Sequence, residues 1–271
     1  MQNRTQLFSK TALLLAATMF AFAQVACDVE ILDNVNNNDF EARSSFSHSI
    51  EIQQQMRLVI DAKNGPIKVV GSPGAATVEI TGARIVTSDS PADAEEYLEK
   101  LKVNLQSRDN EIYVETEQPR LGRGRNFTVE YNVVVPADWD VFLDDDNGEI
   151  TVENTSGALD VELTNGNVFF TGNSGTAYVE IVNGQFEGRH ALQKDGTFKV
   201  SVTNGQIDLK IPESTNADLN ASTRNGRVSV TGLVVENAVS DQKSFEGTLG
   251  EGAGQIELKT TNGNVNVEAY Q

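Results

Sequence analysis

Asn-Gly occurs seven times in this 271-residue chain, at 64, 147, 165, 183, 204, 225 and 262, where 24 Asn and 22 Gly would pair about twice by chance. Six of the seven fall in the last 125 residues, at spacings of 18, 18, 21, 21 and 37. Such spacing marks a repeat, and a repeat restricts the fold to units that bury their apolar face against copies of themselves. Gly157 and Gly175 fall midway, so Gly148, Gly157, Gly166, Gly175 and Gly184 advance in nine-residue steps, each long enough for one short strand and one turn.

Between these marks apolar and polar residues alternate, as in Leu159, Val161 and Leu163, then Ala177, Val179 and Ile181, then Phe198, Val200 and Val202. A period of two predicts strands buried on one side. The same alternation precedes the repeats, at Leu58 and Ile60, Ile67 and Val69, and Val129 to Val135. One segment departs from it. Ser90 as N-cap, Pro91 at the first helical position and early acids predict a helix over 91–102 with Ala94, Tyr97, Leu98 and Leu101 on one face.

Two all-β architectures fit. Asn-Gly tolerates positive φ and is the strongest short-range hairpin signal, which allows an antiparallel meander or sandwich. The favoured alternative winds two strands into each coil of 18 to 21 residues, a parallel β-solenoid with one short helix. There the pairs Asn64-Gly65, Asn147-Gly148, Asn165-Gly166, Asn183-Gly184, Asn204-Gly205, Asn225-Gly226 and Asn262-Gly263 would stack in one column, with the Asn side chains in a hydrogen-bonded ladder. Near-identity of Thr164-Asn165-Gly166-Asn167-Val168 with Thr203-Asn204-Gly205-Gln206-Ile207 and Thr261-Asn262-Gly263-Asn264-Val265 favours stacking, since a hairpin does not need identical alternate turns. Val234 to Gly254 lacks a clean repeat and reads as a loop insertion or a degenerate coil.

The N-terminal segment is an address. Residues 1–26 carry Arg4, Lys10 and no acid around an apolar stretch from Thr11 to Ala23, the form of a secretory signal. Ala21-Phe22-Ala23 offers an ordinary cleavage site; Val25-Ala26-Cys27 resembles the end of a bacterial lipobox, whose cysteine is lipidated. On that reading Cys27 anchors the chain to a membrane, in the periplasm or on the cell surface. Residues 27–47 read as a polar tether, 48–146 as an N-terminal β portion with the helix, and 147–271 as the repeat, with 48–271 one continuous domain.

Charge narrows the partners. The formal charge of −18 becomes −20 once Arg4 and Lys10 leave with the signal, so phosphate backbones are repelled and nucleic acid is not an expected partner. One cysteine and two histidines, His48 and His190, both read as surface residues, leave no set for a zinc site or a His-based triad. Asp138, Asp140, Asp144, Asp145, Asp146 and Glu149 form the densest acidic cluster. They read as a solvated edge of the stack or as a weak Ca²⁺ site, although with Gly148 at loop position six the EF-hand end positions fall on Leu143 and Asn154. Hydrolase, metalloprotease, Walker and dinucleotide fingerprints do not occur.

From about Leu58 to Tyr270 the order of short motifs resembles the bacterial "putative adhesin" domain family, whose biochemical function is unknown. The matching elements are Asn64-Gly65-Pro66-Ile67-Lys68-Val69-Val70-Gly71, the short acidic helix, Val133-Val134-Val135-Pro136, and the Thr-Asn-Gly turns. The resemblance implies a right-handed, parallel β-helix-like fold in the cell envelope. Three functions follow as expectations. The first is a non-catalytic, adhesin-like protein presenting an acidic binding or spacer surface to an envelope glycan or protein. The second is a carbohydrate-active enzyme, which would show a groove with two carboxylates and an arginine such as Arg189 or Arg224. The third is an envelope-stress sensor that adds a peptide strand to an uncapped end at Val265 to Tyr270.

Overall fold

The seven Asn-Gly pairs stack in one column. In the computed structural model, which describes residues 29–33, 40–108, 110–120 and 124–271, Asn64 sits beside Asn147, and Asn147 beside Asn165. The series continues through Asn183, Asn204, Asn262 and Asn225. At this column the chain turns from one wall of strands to the other, so each coil contributes one segment to each wall.

The elements are β1 (Val29–Asp33), β2 (Phe40–Glu51), β3 (Arg57–Asp61), β4 (Ile67–Ser72), β5 (Thr77–Ser88), α1 (Pro91–Leu98), β6 (Lys102–Ser107), β7 (Glu111–Glu117), β8 (Asn126–Pro136), β9 (Asp140–Glu153), β10 (Leu159–Ser174), β11 (Ala177–Asn183), β12 (Phe186–Ala191), β13 (Thr197–Asn204), β14 (Ile207–Pro212), β15 (Ala217–Asn225), β16 (Val228–Thr231), β17 (Val235–Ser240), β18 (Ser244–Leu249), β19 (Gly254–Asn262) and β20 (Val265–Tyr270). The first wall runs β6-β7-β3-β9-β10-β11-β13-β19-β15-β18-β17. The second runs β1-β2-β5-β8-β4-β9-β10-β12-β14-β20-β16. β9 and β10 belong to both, because each passes through the column without a break.

Every pairing from β7 to β15 in the first wall, and from β8 to β16 in the second, is parallel; the pairing becomes antiparallel at both ends of the first wall and beyond β8 in the second, which stops at β16. The sheet is therefore mixed: stacked coils fill the middle, and antiparallel strands flank them. Inward residues line up rung by rung, as in Leu58, Val141, Leu159, Ala177, Phe198, Ile256 and Leu219. All are buried. Gly188 interrupts the facing column where Phe170 and Phe186 pack edge to face at 5.3 Å; a Cβ there would press on the Phe186 ring.

Both residues of the repeated pair have a structural reason. Each Asn Nδ2 donates to the Oδ1 of the next, at 2.8 Å from Asn147 to Asn64, from Asn165 to Asn147, from Asn262 to Asn204 and from Asn225 to Asn262, and at 2.9 Å from Asn183 to Asn165 and from Asn204 to Asn183. Asn64 in turn donates to Gln118 Oε1 at 3.0 Å. The glycines stack so closely that a Cβ at Gly166, Gly184, Gly205, Gly263 or Gly226 would overlap the carbonyl oxygen of the preceding glycine in the column.

Several expectations change. The stacking order at the far end is not the chain order: the last coil, β19–β20, slots between β13–β14 and β15–β16. β20 is thus paired on both sides, and Val265 to Tyr270 is not an open end for strand addition. The irregular stretch after Val234 is neither loop nor coil but the antiparallel hairpin β17–β18, which covers the outer edge of β15. The described residues of the expected tether are strand, since β1 covers 29–33 and β2 begins at Phe40 and pairs along its whole length with β5; Ala42 and Ser44 are small enough to be buried there. The helix ends at Leu98 rather than at 102, because Lys102 to Ser107 pairs with β7. Ser90 Oγ accepts from the Asp93 amide at 3.3 Å as its N-cap, and Ala94, Leu98 and Leu101 are buried where the helix lies on β2 and β5. Arg125 grips Asp93 through two 2.6 Å hydrogen bonds and lies 3.8 Å over the Tyr97 ring, pinning the helix to the start of β8. With Ser88 it holds the Asp93 carboxyl down at about 2. Cys27 and the signal lie outside the described residues.

Candidate binding face

Outward residues of the first wall line up as regularly as inward ones. Three positions before each column Asn, neighbouring rungs carry Asp61, Asp144, Glu162 and Glu180, and Glu115 of β7 extends the row. Carboxylates directly opposite one another destabilise a sheet, and here five follow in succession. Lys63 Nζ holds Asp61 at 2.9 Å, but among the described residues Asp144, Glu162 and Glu180 have no ion-pair partner, and all three are exposed. Partial desolvation against the sheet and then neighbouring carboxylates raise the Asp144 and Glu162 carboxyls, with Lys63 opposing the rise at Asp144, as desolvation and Glu180 do for Asp160. Three carboxylates elsewhere on the two walls face a lysine: Glu153 with Lys68 at 2.8 Å, Glu257 with Lys199 at 3.0 Å and Glu268 with Lys210 at 3.6 Å.

Beside the acidic row runs Tyr113, Val59, Phe142, Asp160 and Tyr178. Arg108 lies 4.3 Å over Tyr113 and Arg57 4.8 Å over Phe142. Tyr178, at 43% exposure, is the open ring of the row.

The cluster expected around residue 147 does not converge. Strand alternation sends Asp144 to the outer face and Asp145 into the core, while Glu149 lies past the column beside Asn167 on the second wall. Asp140 accepts from the Ala158 amide at 3.0 Å, Asp138 is exposed in the preceding turn, and Asp146 is exposed beside the column. Among the described residues no three His, Cys, Asp or Glu side chains lie close enough to hold a metal ion, so the single Ca²⁺ cluster does not form. The strip draws on separate coils instead. Its signal was present in the sequence, since Asp144, Glu162 and Glu180 recur at the 18-residue coil length.

Asp145 and His190 are among the polar side chains buried in the core. Asp145 is fully buried in a column that runs on through Leu163, Ile181 and Val202 to Thr260 and Thr223, and neither carboxyl oxygen accepts a well-formed hydrogen bond. Burial pushes its carboxyl up to about 7, with the Asn147 and Asp146 amides offsetting only a fraction of that cost. His190, expected at the surface, is buried: Nε2 shares a 3.0 Å hydrogen bond with Gly175 O, and the ring packs 4.4 Å from Phe198. Desolvation lowers it to about 4. His48 is half-buried and lowered for the same reason.

The groups expected of a carbohydrate-active site are separated. A groove of about 450 Å³ beside β18 brings Asp218, Glu246 and Glu257 together without an arginine. A neighbouring groove of about 560 Å³ holds Arg224, Lys243 and Lys259 without a carboxylate. Arg189 lies 4.2 Å over the Tyr270 ring on the other wall.

Solved structures similar to this chain include a "putative cell adhesion protein" from Clostridium sporogenes, 14% identical over 83% of this chain and 100% of that one, with a TM-score of 0.49. A "putative adhesin" from Bacteroides fragilis is 10% identical over 83% and 97%, with a TM-score of 0.29, and one from Parabacteroides distasonis is 11% identical over the same shares, with a TM-score of 0.24. No curated protein matches significantly. The model of one family, Toastrack DUF4097, matches residues 95–268, from the second half of α1 through the coils that carry the Asn-Gly column from Asn147 to Asn262, and the chain belongs to that family.

Proposed function

We propose that the protein is a non-catalytic, adhesin-like component of the bacterial cell envelope whose acidic strip engages a positively charged partner. The observation that carries this reading is the in-register run of carboxylates at Asp144, Glu162 and Glu180, which have no ion-pair partner among the described residues. An aligned row of one sign concentrates field at its surface, steering a cationic ligand and fixing its register. Tyr178 adds a ring face beside the row, suited to an ammonium group or a sugar face.

The envelope placement rests on the N-terminal segment, with Cys27 as the lipid anchor; among the described residues no helix is long and apolar enough to cross a membrane. A Cys27→Ser variant is expected to leave the membrane fraction for the soluble fraction; retention in membranes would defeat the anchor. The reading also takes the parallel coils as right-handed, the hand that strand–crossover–strand units adopt.

Titrating the mature chain with poly-lysine, cationic amino-sugar oligomers and neutral glycans over a salt series tests the partner class. Saturable binding of the cationic probes, weakening steeply with salt, is expected. Equal binding of neutral glycans, or no cationic binding at low salt, would overturn it.

A further inference from the structure

The Asn-Gly column has two unlike ends. Along it each glycine amide donates to the backbone carbonyl of the next Asn: Gly65 to Asn147 at 2.8 Å, Gly184 to Asn204 at 2.9 Å, Gly205 to Asn262 at 2.8 Å and Gly263 to Asn225 at 3.0 Å. Gly148 and Gly166 sit within the continuous β9–β10 ladder. Gly226 belongs to the last coil of the stack, with no further Asn beyond it, and among the described residues its amide has no acceptor. The side chains show the same asymmetry. Asn64, Asn147, Asn165, Asn183, Asn204 and Asn262 each both donate and accept in the ladder, whereas exposed Asn225 donates to Asn262 and its Oδ1 accepts nothing among the described residues.

Asn-Gly is the dipeptide most open to intramolecular attack, because glycine puts no side chain in the way of its own amide nitrogen. We propose that Asn225 is a self-modification site of this protein, converting to aspartyl and isoaspartyl residues through a succinimide while the other six Asn-Gly pairs are protected by stacking. The Gly226 nitrogen, losing its proton to solvent base, forms a bond to Asn225 Cγ; the Cγ–Nδ2 bond breaks and the nitrogen leaves as ammonia. Water then opens the ring at either carbonyl and returns the proton. No oxidant, reductant or second protein is required.

An attacking nitrogen must leave the extended strand geometry, which internal turns resist through bonds on both sides. The terminal turn has no column neighbour on its outer side. There the hairpin tip holds only the flanking residues, through the Thr223 amide to Lys243 O at 2.8 Å, Lys243 Nζ to Arg224 O at 2.8 Å and the Val228 amide to Gln242 O at 3.1 Å. The Gly226 amide itself is therefore less restrained than its stacked counterparts. Conversion puts a carboxylate oxygen where Nδ2 donated, opposite the acceptor Oδ1 of Asn262, so the last rung of the ladder is lost. The isoaspartyl product also adds a backbone carbon at the corner between β15 and β16 and disturbs their register against β19 and β20. The new charge lies between Arg224 and Arg227 in the chain.

The test is a time course of the intact folded chain at mildly alkaline pH, followed by peptide mapping and isoaspartate-specific labelling of all seven sites, with a parallel sample in urea. In the folded chain Asn225 is expected to convert on the order of tenfold faster than any of the other six, and in urea the seven rates should converge. Internal pairs converting as fast as Asn225 in the folded chain would overturn the proposal. So would a lead of Asn225 that persists undiminished in urea, because the neighbouring sequence and not the stack would then set the rate.

Discussion

At the scale of single residues, the column glycines and one buried carboxyl set the tolerances of the fold. Gly184 carries a φ of 152° and has the Gly166 carbonyl where a Cβ would go, so Gly184→Ala must push neighbouring coils apart. A loss of more than about 3 kcal/mol is expected by chemical denaturation, at the severe end of single substitutions. Asp145 gives a test by pH. Its folded pKa of about 7 lies above the ordinary 3.8, so the folded state holds a proton that the unfolded chain has released between those values. Stability from this group is full below about 4 and is lost as pH rises to about 7, by on the order of 4 kcal/mol. Asp145→Asn should therefore match the wild type near pH 4 and exceed its melting temperature increasingly toward pH 8. A constant offset across that range would show that the carboxyl does not titrate in the fold. His190 acts in the opposite sense: lowered to about 4, it costs stability as pH falls below 6.5. Neither residue was legible as buried. Asp145 stands in an acidic run where composition suggests solvent, and its inward position follows only from counting two residues back from Asn147. His190 lies past Phe186 and Gly188, where the large-small pairing of ring and glycine hides the alternation.

At the scale of elements, the ladder and the end hairpin carry separable loads. Asn183→Ala removes one hydrogen bond given and one received, whereas Asn225→Ala removes one, so the first should cost about 1–2 kcal/mol and the second less than about 1 kcal/mol in equilibrium unfolding. Equal costs would mean that the side-chain ladder contributes nothing beyond the backbone pairing. Replacing residues 234–250 with a short Gly-Ser link uncovers the β15 edge, and light scattering should then show association that the intact chain lacks. The coil length, the column and its ladder were readable from Asn-Gly spacing, because each corner needs the same two residues for the same reasons. The exchange of the last two coils was not. Spacing measures the chain between corners, and a 37-residue interval says nothing about which edge the returning strand joins. The first half of β2 was hidden for another reason: Ala42 and Ser44 are buried but small, so no apolar period appears.

At the scale of the whole molecule, sequence charge announced an acidic protein but not where the charge collects. Carboxylates follow on successive rungs from Glu115 to Glu180, whereas toward the other end of the same wall Lys199, Lys259, Arg224 and Lys243 are interspersed with Asp218, Glu246 and Glu257. A strip retained for binding sacrifices stability. Neutralising Asp144, Glu162 and Glu180 together, as Asn, Gln and Gln, should therefore raise the melting temperature. The most direct measurement compares that variant with an equally neutralised second wall, Glu187→Gln, Asp208→Asn and Glu268→Gln, by calorimetric titration with a cationic amino-sugar oligomer at fixed salt. The strip variant is expected to lose at least about tenfold in affinity while the second-wall variant stays close to wild type. Equal losses in the two, or none in the strip variant, would contradict the assignment of the binding face.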